Sequence, residues 1–275
     1  MPELPEVEAI ARALRPLVVG RNVARCRVIH PIAVRVGREP LPRQVARIRN
    51  GLRRRKIDAV ERRGKYLLLK LDKGYVVMHL KFDGQLVWFD SKRVTGHIDV
   101  ALELANGTLG FVDQRHLGRV RWVESPDEIS TIRSMGVEPL SPAFTPDILA
   151  ALLRHSKLPL KLFLLDQKRI AGIGNIYSNE AMWRARLKPQ RGAPSLSRVE
   201  VRRLHKAIVD VLERALECCL NPAPDLRDPN WWFQGIEDML GVYGRAGEKC
   251  GVCGRKILRV EQGGRSTFWC SRCQK

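Results

Sequence analysis

The sequence predicts an α+β chain built of successive modules, and three observations carry that prediction. Short β-prone runs separated by turn signals occupy the first half, proline-interrupted helical periodicity occupies most of the second, and two Cys-x-x-Cys pairs close the chain.

In residues 6–19, Val7, Ile10, Leu14 and Leu17 recur at helical spacing and the run ends at Gly20, so a helix opens the chain. β-prone runs follow at 66–71, 75–80, 84–89, 97–104, 109–113 and 119–123, with Asp72-Lys73-Gly74 and Asn106-Gly107 as turn signals. Evenly spaced strands of this kind imply a β-sandwich or barrel with one face packed. After about Ile132 the segment GVEPLSPAFTPD marks a boundary, and 148–153 and 198–218 read as helices. Pro222, Pro224 and Pro229 mark a loop before the last module. The expected domains are 1–132, 133–241 and 242–275.

Two hundred and seventy-five residues with 44% apolar content can bury a real core. The start is not a cationic segment followed by an apolar run, and no stretch approaches the ~20 apolar residues of a membrane span. A soluble cytoplasmic protein without a membrane partner is expected. Forty-nine Lys and Arg against 29 Asp and Glu give a formal charge of +20, which makes nucleic acid the leading partner. The excess is uneven: residues 47–65 hold nine Lys or Arg against Asp58 and Glu61, and 242–275 hold eight against Glu248 and Glu261. A merely solvated basic face is the alternative.

The spacing Cys250-x2-Cys253 and Cys270-x2-Cys273 is metal spacing, since each turn aims two thiolates at one ion and a hairpin completes the tetrahedron. A tail this small cannot form a core unaided, and structural zinc contributes on the order of 10 to 16 kcal/mol to such modules. Two disulfides are the competing reading for a secreted chain. Four thiolates leave no open coordination position, so one structural Zn2+ is expected and the chemistry must lie elsewhere. Between the pairs, Gly263-Gly264 permits a tight turn that presents Arg265 at its tip, either to grip phosphate or simply to be solvated. Cys26, Cys218 and Cys219 read as packing residues.

The opening MPELPEVE offers the chemistry. Removal of Met1 leaves the secondary amine of Pro2 as the terminus, beside Glu3 and Glu6. An α-amine with a pKa near ~8 is roughly one-tenth unprotonated at pH ~7, whereas a lysine near ~10.4 is under about one-thousandth free base. The same residues also suit a helix start, with proline in the first turn and acids complementing the dipole.

Three separated motifs then coincide: PELPEVE, LLDQKRIAGIGNIYSNEAMWRARLKP at 164–189, and VYGRAGEKCGVC with QGGRSTFWCSRCQK at the end. Together they resemble the formamidopyrimidine-DNA glycosylase family of bifunctional base-excision repair enzymes over essentially the whole chain. The resemblance implies an N-terminal β-sandwich with flanking helices, a helix-two-turn-helix domain and a C-terminal zinc-ribbon-like hairpin, with damaged double-stranded DNA as partner. A monomer associated with the nucleoid is expected. Pro2 then corresponds to the nucleophile that attacks C1′, expels the base and forms an imine, after which β- and δ-elimination cut the strand. Glu3 corresponds to the acid that protonates the sugar ring oxygen and Glu6 to its helper. Glu3 needs its proton at neutral pH, so burial is expected to outweigh the helix dipole. Lys65 corresponds to a lysine assisting β-elimination and Arg265 to one assisting δ-elimination.

Family DNA contacts fall on His97, Lys157, Lys161 and Asn175, with Tyr243 counted among them. Gly172 and Gly174 let the backbone approach a phosphate at a helix N-terminus. The residues that fill the hole left by a flipped base correspond to Arg115, Phe82 and Leu117. Phe82 stands where methionine is usual and Leu117 where phenylalanine is usual, and both remain apolar wedges. The segment LRDPNWWFQ at 226–234 is shorter than the family's 8-oxoguanine-capping loop, which weakens the expected preference for that lesion. Trp231 and Trp232 either stack on an extruded base or pack as core aromatics. Competing readings are an endonuclease VIII-like enzyme for oxidised pyrimidines and a noncatalytic zinc protein that binds damaged DNA.

Overall fold

Helical spacing of apolar residues starts the fold as expected. In a computed structural model, which describes residues 2–228, 230, 231, 233 and 235–275, helix α1 (Leu4–Val18) buries Val7, Ile10, Ala11, Leu14 and Val18. Two antiparallel four-stranded sheets follow, built from β1 (Val23–Val28), β2 (Ile57–Arg63), β3 (Tyr66–Leu71), β4 (Tyr75–His79), β5 (Gln85–Phe89), β6 (Val100–Leu104), β7 (Gly107–Val112) and β8 (Arg119–Val123). One sheet runs β1-β6-β7-β5 and the other β2-β3-β4-β8. Leu69, Met78, Leu86, Trp88, Leu102 and Phe111 share one core with the apolar stripe of α1.

Three differences from the sequence reading have physical causes. The second sheet is covered on both faces, because Leu68, Val77 and Val123 pack against Ile129 and Ile132 at helix α3 (Ser130–Arg133). Near-continuous burial along YLLLKL and YVVMH follows from this double cover. Strands β1 and β2 escaped the sequence reading because a register shift interrupts each, between Val23 and Arg25 and between Ile57 and Ala59. The buried positions then fall at 23, 26 and 28 and at 57 and 60, which breaks the period-two signal. Helix α2 (Leu41–Leu52) was hidden by Pro42 near its start and Gly51 near its end, although Gln44, Ile48 and Leu52 form a buried stripe.

The remaining helices are α4 (Pro146–Arg154), α5 (Leu160–Leu165), α6 (Asn175–Arg184) and α7 (Arg198–Cys219). Thr145 caps α4 by accepting from the Ile148 N–H. Phe163, Leu164, Tyr177, Met182, Leu204, Ile208 and Leu212 build the core of this helical region. Strands β9 (Leu258–Gln262) and β10 (Arg265–Trp269) form the closing hairpin.

Contacts group the chain into two compact units: Pro2 with Glu6–Arg133 and Leu220–Phe233, and Glu3–Pro5 with Ser134–Cys219 and the residues after 234. The segment that follows α7 thus belongs with the sandwich, where the Leu226 carbonyl accepts from Trp88 N–H at 2.6 Å on β5. Trp231 is buried in the same core, donates from Nε1 to the Leu86 carbonyl at 3.3 Å and meets Phe233 edge-on. Of its two expected roles it takes the packing one, because β5 offers both an apolar surface and a carbonyl. Trp232 and Met1 lie outside the described residues. No helix among the described residues is long and apolar enough to cross a membrane.

Gly51 sits against Trp122, and a Cβ there would run into the indole ring. Gly51→Ala should therefore lower the denaturation midpoint by an amount equivalent to about 1 to 3 kcal/mol, despite the ~1 kcal/mol that alanine gains in a free helix. A midpoint at or above the parent's in urea would contradict this packing.

Candidate active site

The unit that contains Glu3 organises itself around the first turn of α6. Gly174 precedes the helix without a side-chain cap, so the first N–H groups need an outside acceptor. Glu3, 1% exposed, supplies it: Oε2 accepts from the Gly174 N–H at 2.7 Å and Oε1 from the Ile176 N–H at 2.9 Å. Both influences expected at this residue, burial and a helix N-terminus, are present. Gly172 is required beside it, because its φ is +80° and a Cβ would collide with Leu4, whose N–H donates to the Gly172 carbonyl at 3.2 Å.

The same helix turn receives Lys161 from α5. Its side chain is wholly buried and Nζ donates to Ser178 Oγ at 2.8 Å and to the Asn175 carbonyl at 3.3 Å. Burial pushes its pKa down to about 7, with the Glu3 carboxylate acting in the opposite sense. Its helix turns the Lys161 side chain inward, away from solvent. Lys157, in the segment before α5, is exposed.

Two asparagines one turn apart on α6 hold the hairpin. Asn175 Nδ2 donates to the Ser266 carbonyl at 3.1 Å, and Asn179 Oδ1 accepts from the Phe268 N–H at 2.9 Å. Asn175 Oδ1 is buried without a hydrogen-bond partner, so the amide keeps an acceptor in reserve. Glu180, fully buried, was missed by the sequence reading. Its carboxylate accepts N–H bonds from Gly241, Val242 and Tyr243 at 2.8, 2.9 and 2.8 Å and so fixes the approach to the cysteine module. The acid within NEAMW is the only sequence clue to it. Tyr243 packs edge-on to Phe268 with ring centroids 5.3 Å apart.

The hairpin turns through Gly263 and Gly264, both at positive φ, and exposes Arg265. Its cysteines converge: Cys250 and Cys273 Sγ are 3.9 Å apart, and Cys253 and Cys270 Sγ are 3.4 Å apart. A tetrahedral ion with bonds of about 2.3 Å sets sulfurs about 3.7 Å apart, so the set fits zinc, and these separations are far from a disulfide's ~2.05 Å.

In the sandwich unit Pro2 and Glu6 are buried, and Lys65 is partly exposed in the β2–β3 turn after Gly64 at φ +55°. His79, on β4, has its pKa lowered to about 3, first by burial and then by Lys81 and Lys65. The β4–β5 and β7–β8 turns meet where the Arg115 guanidinium lies 5.3 Å from the Phe82 ring centre and Arg115 Nη1 donates to Asp83 Oδ2 at 3.1 Å. Phe82 is 41% and Leu117 37% exposed, unusual for large apolar side chains. His97 stacks on His30, with ring centroids 4.8 Å apart.

Family models match nearly the whole chain: the N-terminal domain of formamidopyrimidine-DNA glycosylase over 1–120, its helix-two-turn-helix domain over 135–220, and a zinc finger found in that enzyme and in isoleucyl-tRNA synthetase over 247–275. The chain belongs to the formamidopyrimidine-DNA glycosylase family. A relative of that name from Pelotomaculum thermopropionicum is 39% identical, over 100% of this chain and 99% of its own. A solved variant of the Lactococcus lactis enzyme bound to DNA containing Fapy-dG superposes with a TM-score of 0.86 at 28% identity, covering 100% of both chains. The Thermus thermophilus enzyme gives 0.84 at 38% identity, covering 99% of this chain and 98% of its own. The sandwich, the helical region and the zinc-finger hairpin are thus the family's fold, and the cysteine quartet is its structural zinc site.

The buried lysine makes a pH prediction. A base whose pKa falls on folding leaves the unfolded chain with more bound protons between the folded value of about 7 and the ordinary 10.5, so stability from this group rises with pH across that window. Lys161→Met should flatten that rise, read as the change in urea midpoint between about pH 7 and about pH 9. An unchanged slope would mean that the ammonium is not desolvated.

Proposed function

We propose that this protein is a base-excision repair DNA glycosylase and abasic-site lyase that removes oxidised purines, with the amine of Pro2 as nucleophile once Met1 is removed. The observation that carries the proposal is the anchoring of Glu3 to the start of α6, which fixes the residue directly joined to Pro2 in a chain of this family.

The chemistry follows from that amine. Its lone pair forms a bond to C1′ while the bond from C1′ to the base breaks; the base leaves with that electron pair and takes a proton from water, the amine's own proton passes to the Glu3 carboxylate, and Glu3 delivers it to the ring oxygen as the sugar opens to an iminium. Imine formation makes the C2′ proton acidic. Its removal expels the 3′ phosphate, and a second elimination expels the 5′ phosphate. Lys65, at the β2–β3 turn, and Arg265, at the hairpin tip, are assigned to these eliminations, and Glu6 to supporting the acid.

Base flipping leaves a hole that costs a few kcal/mol. Arg115, Phe82 and Leu117, on adjoining exposed turns, supply one cation and two apolar side chains to fill it. His97, Lys157, Asn175 and Tyr243 are assigned to DNA contact. Lys161 is assigned instead to the support of Glu3, since both grip the same helix turn. The reading includes action as a cytoplasmic monomer and a division of labour among 1–132, 133–241 and 242–275, in which 220–233 packs with the sandwich.

Borohydride reduction of the protein on an abasic duplex should give a covalent adduct whose sugar remnant maps to Pro2 by mass spectrometry, and Pro2→Gly should lose it. Absence of any adduct from the parent protein would favour a binding-only role. Excision measured on duplexes bearing 8-oxoguanine, formamidopyrimidine, hydantoin or thymine glycol should show purine lesions as substrates, and thymine glycol alone would refute that choice.

Zinc removal should unfold the hairpin that carries Arg265 and abolish duplex binding in a gel-shift assay. Binding that survives verified metal loss would contradict the role given to the cysteine quartet.

A further inference from the structure

Far along the chain from the cysteines, the sandwich unit gathers three imidazoles around one buried carboxylate. Asp99 is 0% exposed and sits where three segments meet. Its carbonyl accepts from the Ile29 N–H at 2.9 Å and the His30 N–H at 3.1 Å, and its own N–H donates to the Phe111 carbonyl at 2.8 Å. Asp99 Oδ2 accepts from the Asp113 N–H at 2.8 Å, which leaves Oδ1 to face the histidines. His116 Nδ1 lies 2.9 Å and His97 Nε2 3.4 Å from that oxygen. The ring centroids of His30, His97 and His116 stand 4.8, 5.2 and 5.2 Å apart.

We propose that His30, Asp99 and His116 form a second divalent-metal site, of zinc type, in the N-terminal sandwich, with His97 stacked on His30 beside it. Imidazole nitrogen with a single carboxylate suits Zn2+ or Co2+, whereas Mg2+ and Ca2+ require mostly oxygen donors. Bonds of about 2.0 to 2.2 Å in a tetrahedron set neighbouring donor atoms about 3.3 Å apart, and the 2.9 Å from His116 Nδ1 to Oδ1 lies near that value. The same geometry places imidazole centres about 5 Å from one another, as the rings of His30 and His116 are. Donor atoms of His30, Asp99 and His116 already lie within 4.8 Å of one another. His97 and His116 remain about a third exposed, at 32% and 30%, so an ion can reach the cluster from solvent.

The backbone is shaped to the same end. His116 holds φ +51°, a conformation costly for a non-glycine residue, and it donates its N–H to the Asp113 carbonyl at 2.9 Å. Asp113 also accepts from the Arg115 and Gly118 N–H groups. The turn thereby aims His116 at Asp99 while Arg115 and Leu117, on either side, remain exposed. Metal held by His116 would fix the turn that displays those two residues. Asp99 Oδ2, held by the Asp113 N–H, keeps the carboxylate in place for a bond through Oδ1.

The test uses the full chain with its cysteine site filled by the same ion that is added, Zn2+ or Co2+. Protein is incubated with excess Zn2+ or Co2+, freed of loosely held ion by gel filtration, and analysed for metal per chain by mass spectrometry. The parent should retain a second equivalent. Its cobalt form should show tetrahedral visible bands beyond those accompanied by thiolate charge transfer. His30→Ala and His116→Gln should each lose the second equivalent and keep the thiolate bands. His30→Phe, which preserves a stacked ring, guards against loss by unfolding and should behave as His30→Ala, with a thermal midpoint close to the parent's. Retention of only one equivalent by the parent, or of two by the histidine variants, would overturn the proposal. Its failure would leave the borohydride adduct untouched, so the two readings are tested separately.

Discussion

The bond from the Glu3 carboxylate to the opening N–H groups of α6 is the constraint on which the site depends. A helix start with no side-chain cap leaves donors that must be satisfied, and a carboxylate answers both the hydrogen-bonding need and the positive end of the dipole. Pro2 is the residue covalently joined to the acid that this anchoring holds. Gly172 at φ +80°, Lys161 without exposed surface and Ser178 all serve this arrangement. The buried ammonium is costly by itself, and its hydrogen bonds and the nearby carboxylate offset the cost of its burial.

Zinc adds to a small apolar cluster of Val242, Ile257 and Phe268 in the closing module, and the module is then held to α6 by amides. Asn175 and Asn179 reach β10 from one helix face, while Glu180 on the next position secures the backbone of Gly241, Val242 and Tyr243. These three residues are consecutive in function though not in role: two read the edge of a strand, and one closes the loop that delivers it.

Much of this was legible in the residues. Helix α1, six of the sandwich strands, the glycine turn at 263–264 and the cysteine quartet all have local signals, and local signals survive folding. The register shifts in β1 and β2 erased a period, and proline and glycine masked α2, so those elements needed the tertiary structure to appear. Glu180 and the inward Lys161 were invisible as such, because sequence does not say which way a helix faces. Trp231 carried two readings that differ only in surroundings, and the edge of β5 decides between them. The histidine cluster is the extreme case: His30 lies far from the others in sequence, and only the meeting of three strand ends unites them.

The paired asparagines have a mechanical corollary. A single rod bears the acid's docking point at its tip and the arginine-tipped hairpin along its flank, so neither can drift without dragging the other. A substitution that shifts this helix would disturb both at once.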